Sequence, residues 1–348
     1  MITKKKVAVL GATGVMGQKF VQLLAYHPWF EVSAVAASDK SLGKSYATGI
    51  GSRNENLPQE LGELIISEPS PRALNDLDLI FSALPASVAG PVEDEFAKAG
   101  IPVFSNASSH RMDKLVPLLN PEVNPEHASL VEEQKQRLKT DGFIVANPNC
   151  TTSILTLSLK PIKDRFGLET VVVSSMQAVS GAGYPGVASL DIMQNVIPFI
   201  PNEEEKVERE TNKILGSRTN PSVIKISASC HRVPTLHGHM ESVFVKTQMA
   251  ANPDEVVKTL TEFRSVPEQL KLPSSPRRAI TVRMEEDRPQ NRLDVDQEHG
   301  MTVTVGRVRK DPALGGVKYM VLGHNLVRGG AGCSILNAEL LTAQKYIQ

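Results

Sequence analysis

Cysteine is scarce in this chain: three residues in 348, Cys150, Cys230 and Cys333. An odd number at irregular spacing, with no C-x-x-C pair, argues against a disulfide framework and a structural zinc site, and suits a reducing cytosol. An excess of one charge is also missing. The 38 basic residues balance 38 acidic ones, which leaves no electrostatic footprint for nucleic acid or a polybasic membrane anchor. The longest apolar runs are strand-length, far short of the roughly 20 residues that a membrane-spanning helix needs. The opening Met1-Ile2-Thr3-Lys4-Lys5-Lys6 is basic, yet it leads into a strand and a glycine motif rather than a signal-peptide core. Internal repeats and low-complexity tracts are absent too. What is left is a globular chain too long for one ordinary core, which suggests two domains.

The first 150 residues alternate short apolar strands with helical patterns. Strands are expected at 6–10, 31–37, 77–83, 101–105 and 142–146, with helices over 18–25 and 88–99. That alternation predicts a parallel, doubly wound sheet. Beyond Cys150 the texture changes. Longer strands are expected at 170–177, 242–248, 301–308 and 319–324. A helix over 252–264 has Asn252 before it and Pro253 at its first position. These elements predict an α+β second domain over 151–330. The last stretch, Gly332–Tyr346, reads as a helix apolar on one face, expected to pack, within 331–348, back on the first domain.

Three segments carry chemistry. The first strand runs into Gly11-Ala12-Thr13-Gly14-Val15-Met16-Gly17, and strand-turn-helix is the context in which a glycine motif cradles a dinucleotide pyrophosphate. At the end of the second strand Asp39 would suit the ribose hydroxyls of NAD, but Ser38, Lys40, Ser41 and Lys44 surround it. Hydroxyl donors and positive charge suit a 2′-phosphate, so NADP is favoured. Second, Asn147-Pro148-Asn149-Cys150 lies between an apolar strand and a buried helix, which puts Cys150 at the positive end of that helix, where a thiolate is stabilised. Third, His231-Arg232 and His237-Gly238-His239-Met240-Glu241 lead into a strand. On a strand His237, His239 and Glu241 would share one face, an arrangement open either to a metal or to one histidine acting as a base near the thiol. Gln177 begins a glycine-rich segment, through Ser180, Gly181 and Gly186, whose backbone could pass close to a flat cofactor ring.

With these motifs in hand, the chain resembles the aspartate-β-semialdehyde dehydrogenase family, in its archaeal and fungal branch, over nearly its whole length. The resemblance implies a Rossmann domain, a dimerising catalytic domain, and reversible NADPH-dependent reduction of aspartyl phosphate in lysine, threonine and methionine synthesis. It makes Cys150 the nucleophile, His239 the base, Gln177 the residue that positions substrate, and Arg232 the grip on its carboxylate. Arg111, in Ala107-Ser108-Ser109-His110-Arg111, matches the phosphate-binding arginine. Glu203 and Lys206 match ligands of the substrate amino group and phosphate, with Glu204 or Glu205 able to take the acidic role. The cofactor contacts expected are Gly11, Thr13, Gly14, Val15, Ser38, Lys40, Ser41, Leu84, Ser180, Gly181 and Asn325. No metal is expected. A cytoplasmic homodimer or homotetramer acting on a small molecule follows, with no nucleic-acid or membrane partner. Malonyl-CoA reductase, N-acetylglutamyl-phosphate reductase and a non-catalytic NADP-binding protein are the competing readings.

Overall fold

A computed structural model describes residues 4–53 and 57–347; Met1, Ile2 and Thr3 of the basic opening lie outside them. The chain divides into two compact units: 1–119, 126–147 and 331–348 form one, and 120–125 with 148–330 the other. Two boundaries thus differ from the expected ones. Cys150 belongs to the second unit, and so does the short segment 120–125.

The first unit holds six strands, β1 (Lys5–Leu10), β2 (Phe30–Ala36), β3 (Ile66–Ser67), β4 (Leu79–Ser82), β5 (Val103–Ser105) and β6 (Ile144–Ala146). They pair parallel throughout in the order β3-β2-β1-β4-β5-β6, the Rossmann arrangement. The central strands are short apolar runs because helices cover both faces, so no alternation is needed. Phe20, Phe81, Phe104 and Phe143 form a chain of ring contacts through this core, with centroids 5.1, 5.8 and 6.3 Å apart. The last helix, Gly332–Ala343, belongs to this unit. It is buried on every side from Gly332 to Leu341 rather than along one stripe. Its polar residues are spent on internal bonds: Glu339 meets His27 Nε2 at 2.7 Å and Asn337 donates to the Leu119 carbonyl at 3.0 Å.

The second unit is a mixed sheet of β7 (Thr170–Ala178), β8 (Lys225–Val233), β9 (His239–Lys246), β10 (Ile280–Arg283), β11 (Val303–Asp311) and β12 (Gly316–Gly323), ordered β10-β11-β12-β9-β7-β8. The strands β8 and β10 have no counterpart in the sequence reading. β8 reads Lys-Ile-Ser-Ala-Ser-Cys-His-Arg-Val, too polar to show an apolar run, and it lies at the sheet edge. Its outward N–H groups are covered from within the unit. Glu208 accepts from Ala228 and Glu204 from Cys230, at 3.1 and 2.9 Å, and Ile197 pairs with Arg232. An edge so occupied offers no template for another strand. The helix Cys150–Phe166 packs on β9, β11 and β12, with Ser158 Oγ 2.9 Å from Tyr319 Oη. Segment 120–125 is held by a buried pair in which Arg328 donates to Glu122, and by Asn120 donating to the Ser153 carbonyl at 2.9 Å.

Candidate active site

Asn149 builds the turn that presents the thiol. It is the N-cap of the Cys150–Phe166 helix, and its Oδ1 accepts the N–H groups of Thr151 and Thr152 at 2.9 and 3.1 Å. Cys150 is therefore the first helical residue, with the partial positive charge of the helix start beside its sulfur. It is partly accessible, whereas Cys230 and Cys333 are buried. Burial pushes the Cys230 thiol up to about 12, against a Ser175 hydrogen bond that acts the other way, so that thiol is inert.

Strand register brings the partners to the same place. β7 and β8 pair Gln177 with Arg232, and β7 and β9 pair Met176 with Met240, so His239, at the start of β9, lies beside Gln177. Arg232, Gln177 and His239 thus form one row across three strands. His239 Nε2 faces Cys150 Sγ at 3.1 Å, and Nδ1 meets the Ala178 N–H at 3.1 Å, which fixes the ring. The ring is fully buried, and burial, reinforced by the Arg232 charge, lowers its pKa to about 3. His239 is held neutral. Arg232 donates to the Ala178 carbonyl at 2.7 Å; burial presses its pKa down, while the negative charges of Cys150 and Glu203 act the other way.

A second polar row lies directly beneath the first: Cys230, Ser175 and Glu241. Gln177 Nε2 donates to Ser175 Oγ at 3.1 Å, which ties the rows together. The Glu241 carboxyl is fully buried without a hydrogen-bond partner among the described residues, and burial raises its pKa well above the carboxylate range. It is carried as a neutral acid.

His237 stands apart from this face, contrary to the one-face expectation. Gly238 has φ +89° and breaks the period of two before β9 begins at His239, three residues earlier than expected. No group of three His, Cys, Asp or Glu able to hold a metal occurs among the described residues. His237 instead stacks on His324 at 5.0 Å and meets Ser180 Oγ at 3.1 Å. Asn325 braces the same turn: Nδ2 donates to Ser180 Oγ at 2.9 Å and Oδ1 accepts the Gly238 N–H at 2.9 Å. Gly181 follows Ser180, and a Cβ there would lie 3.0 Å from Arg232 Nη1 and 3.2 Å from His239 Cε1. Glycine is what lets this turn close over both side chains.

The three acids of 203–205 differ in their surroundings. Glu203 is buried, accepts from Asn149 Nδ2 at 2.8 Å and lies 3.7 Å from Lys206 Nζ. Glu204 is committed to the Cys230 N–H, and Glu205 is exposed. Glu210, which nothing in the sequence singled out, accepts the Asn149 N–H at 2.7 Å.

In the first unit, the turn after β1 fits a dinucleotide phosphate. Gly11 has φ +70° and a Cβ there would lie 2.5 Å from the Ala83 carbonyl oxygen; one on Gly17 would lie 2.2 Å from the Gly11 oxygen. The helix Val15–Leu24 begins after Gly14 with no side-chain cap, so its first N–H groups remain available to an anion. Thr13 lies in this turn, and Leu84 follows β4. At the end of β2, Ser38, Asp39 and Lys40 are exposed, Ser41 N–H donates to the Ser38 carbonyl, and Lys44 Nζ donates to the Lys40 carbonyl at 2.9 Å. Arg111 is buried and donates to the Asn106 carbonyl at 2.9 Å.

The domains that carry these features are those of one class, the semialdehyde dehydrogenases. The semialdehyde dehydrogenase NAD-binding domain matches residues 6–131, and the semialdehyde dehydrogenase dimerisation domain matches 159–328. The chain is 52% identical to aspartate-semialdehyde dehydrogenase of Archaeoglobus fulgidus, covering 98% of this chain and 99% of the relative. It is 42% identical to that of Schizosaccharomyces pombe, covering 97% of each. A crystal structure of the Candida albicans enzyme with NADP superposes with a TM-score of 0.90 at 40% identity, covering 98% of this chain and 99% of that one. The chain belongs to the aspartate-semialdehyde dehydrogenase family.

Proposed function

We propose that the chain reduces L-aspartyl 4-phosphate to L-aspartate 4-semialdehyde, reversibly, through a thioester on Cys150. The observation that carries this reading is the 3.1 Å approach of Cys150 Sγ to His239 Nε2 at a capped helix start. The thiolate attacks the acyl carbon, the bond from that carbon to the phosphate oxygen breaks, and phosphate leaves. When bound, NADPH supplies the hydride that reduces the thioester. The carbon–sulfur bond then breaks, the aldehyde departs, and Sγ recovers its electron pair. His239, kept neutral by burial and with Nδ1 occupied by the Ala178 N–H, carries its proton on Nε2 and donates from there to the Cys150 thiolate and to the reacting oxygen. Arg232 meets the substrate carboxylate with two hydrogen bonds, Glu203 its ammonium group, and Lys206 and Arg111 the phosphate. Gln177 orients the carbonyl.

NADP is held at Gly11, Thr13, Gly14 and Val15, with Ser38, Lys40 and Ser41 on the 2′-phosphate, and Leu84, Ser180, Gly181 and Asn325 toward the nicotinamide. Because both ends of the Asn325 amide are engaged with Ser180 and Gly238, its contribution is to hold that turn. Assembly is as a homodimer or homotetramer: Tyr184, Leu190, Met193, Val196 and Phe199 leave apolar side chains exposed in the unit that matches the dimerisation domain. No helix among the described residues is long and apolar enough to cross a membrane, and the setting proposed is the cytosol. The test is phosphate-dependent reduction of NADP by aspartate semialdehyde, run beside NADPH oxidation by malonyl-CoA. Activity in the second assay alone would overturn the assignment.

A further inference from the structure

The helix Glu203–Ile214 carries a buried carboxylate that the chemistry above does not use. Glu210 is 2% exposed and stands on the same buried face as Glu203 and Val207. Its Oε2 accepts the N–H of Asn149 at 2.7 Å, while Glu203 Oε1 accepts from Asn149 Nδ2 at 2.8 Å. The remaining polar atom of that side chain, Oδ1, caps the helix of the nucleophile. The residue immediately before Cys150 is thus gripped twice by one neighbouring helix. Gly329 closes the turn from elsewhere, since a Cβ there would fall 2.7 Å from Cys150 Cβ.

We propose that Glu210 is a positioning residue for the nucleophile, fixing through the Asn149 N–H the turn that aims Cys150 Sγ at His239 Nε2. A hydrogen bond to a buried carboxylate is stronger and more directional than a neutral one, and an amide N–H stripped of it inside the protein is costly. The arrangement has a second consequence, which rests on the function proposed above. Glu203, Lys206 and Glu210 ride on one rigid helix, so the substrate's amino group and phosphate are placed by the same element that places the thiol. Catalysis depends steeply on such registration. Glu210 also brings negative charge toward the sulfur, near which lie the Arg232 and Glu203 charges and the neutral His239 ring, and this opposes the pull of the helix start on the thiolate.

Glu210→Gln keeps the shape and an acceptor oxygen but removes the charge; Glu210→Ala removes both. Two measurements decide. Iodoacetamide labelling of Cys150 as a function of pH needs no substrate. Labelling of Glu210→Gln at mildly acidic pH should be at least about threefold faster than wild type, because one nearby negative charge is gone. In steady state, kcat should fall about tenfold in Glu210→Gln and about 100-fold in Glu210→Ala, with both KM values within about twofold. A merely structural residue would lower Tm and raise every KM together, leaving the labelling profile where it was. That pattern, or wild-type labelling and kcat in both variants, overturns the proposal. If Glu210→Ala does not fold, Glu210→Gln alone decides. Should the wild type fail to turn over aspartate semialdehyde, the substrate assignment falls, and the labelling profile still judges Glu210.

Discussion

Replacing Gly181 by alanine adds one methyl group, and the structure says where it goes. The new Cβ would sit 3.0 Å from Arg232 Nη1 and 3.2 Å from His239 Cε1. Carbon normally rests at about 3.5–4.0 Å from its neighbours, so one or both side chains must retreat by several tenths of an ångström. Arg232 is held by the Ala178 carbonyl at 2.7 Å and His239 by the Ala178 N–H at 3.1 Å, so neither moves without stretching a buried bond. A misplacement of about 1 Å costs on the order of 100-fold, so a shift of several tenths should cost about tenfold in kcat/KM. The loss should fall on both kcat and the KM for aspartate semialdehyde, because the base and the carboxylate grip are disturbed together. Initial rates of phosphate-dependent NADP reduction measure it. Gly183→Ala is the control: a Cβ there meets nothing within 4 Å, but the backbone has φ +69°. If Gly181→Ala matches wild type, or Gly183→Ala is the more damaging change in kcat/KM, contact with Arg232 and His239 is not why glycine is needed.

Cys150→Ala should abolish reduction while leaving NADPH affinity within about threefold, and iodoacetamide should label Cys150 before Cys230 or Cys333; native labelling that spares Cys150 refutes its role. Arg232→Lys keeps the charge but loses the planar fork, so substrate KM should rise while NADPH binding holds; the reverse pattern would move Arg232 to the cofactor. Ser38, Lys40, Ser41 and Lys44 should favour NADPH over NADH by about 100-fold or more in kcat/KM, two charge-assisted contacts of about 1.5–3 kcal/mol each; equal efficiency would mean that Asp39 takes the ribose. His239 titrates near 6.5 in the unfolded chain but about 3 when folded, so between those values the unfolded chain binds the extra proton. Its contribution to stability is therefore full above 6.5 and lost as pH falls toward 3, by up to about 1.4 kcal/mol per unit. Denaturant midpoints across that range should depend less on pH in His239→Asn, and equal slopes would refute the shift.

How much of this was legible in the sequence varied with distance along the chain. The glycine turn, the strand-to-helix turn at Cys150 and the helix start between Asn252 and Pro253 are local, and their residues lie within a few positions of one another. The parallel sheet followed from alternating short apolar runs. β8 escaped because its apolar positions, Ile226, Ala228 and Cys230, alternate with polar residues and are mostly small, so they make no apolar run. His237 misled because a period of two assumes an unbroken strand, and Gly238 breaks it with a positive φ. The burial of the last helix on all sides has a different cause. Its Asn337 and Glu339 satisfy partners inside the unit. Glu210 and the row beneath the site were the least visible. Glu210 lies 61 positions from Asn149, and Ser175 is 66 from Glu241, so only the folded register brings them together.

In the function proposed above, the charges of the second unit would bear on how a histidine so hard to protonate could serve. Burial first and the Arg232 cation second hold the His239 ring neutral, with His324 adding to them. A substrate carboxylate seated on Arg232 would cancel the second without touching the first. The ring would then gain some basicity when substrate occupies the arginine, while burial continues to hold it low. The row beneath supports the same economy of charge. Glu241, carried neutral, lies two residues behind His239 on the same strand face, where a carboxylate would act against the arginine's effect on the ring. Ser175 and Gln177 fill the space between with hydroxyl and amide groups that bond without adding charge. The side chains themselves supply a cation, a thiol and an uncharged imidazole, and in the function proposed above the substrate carboxylate would supply the anion that completes the set.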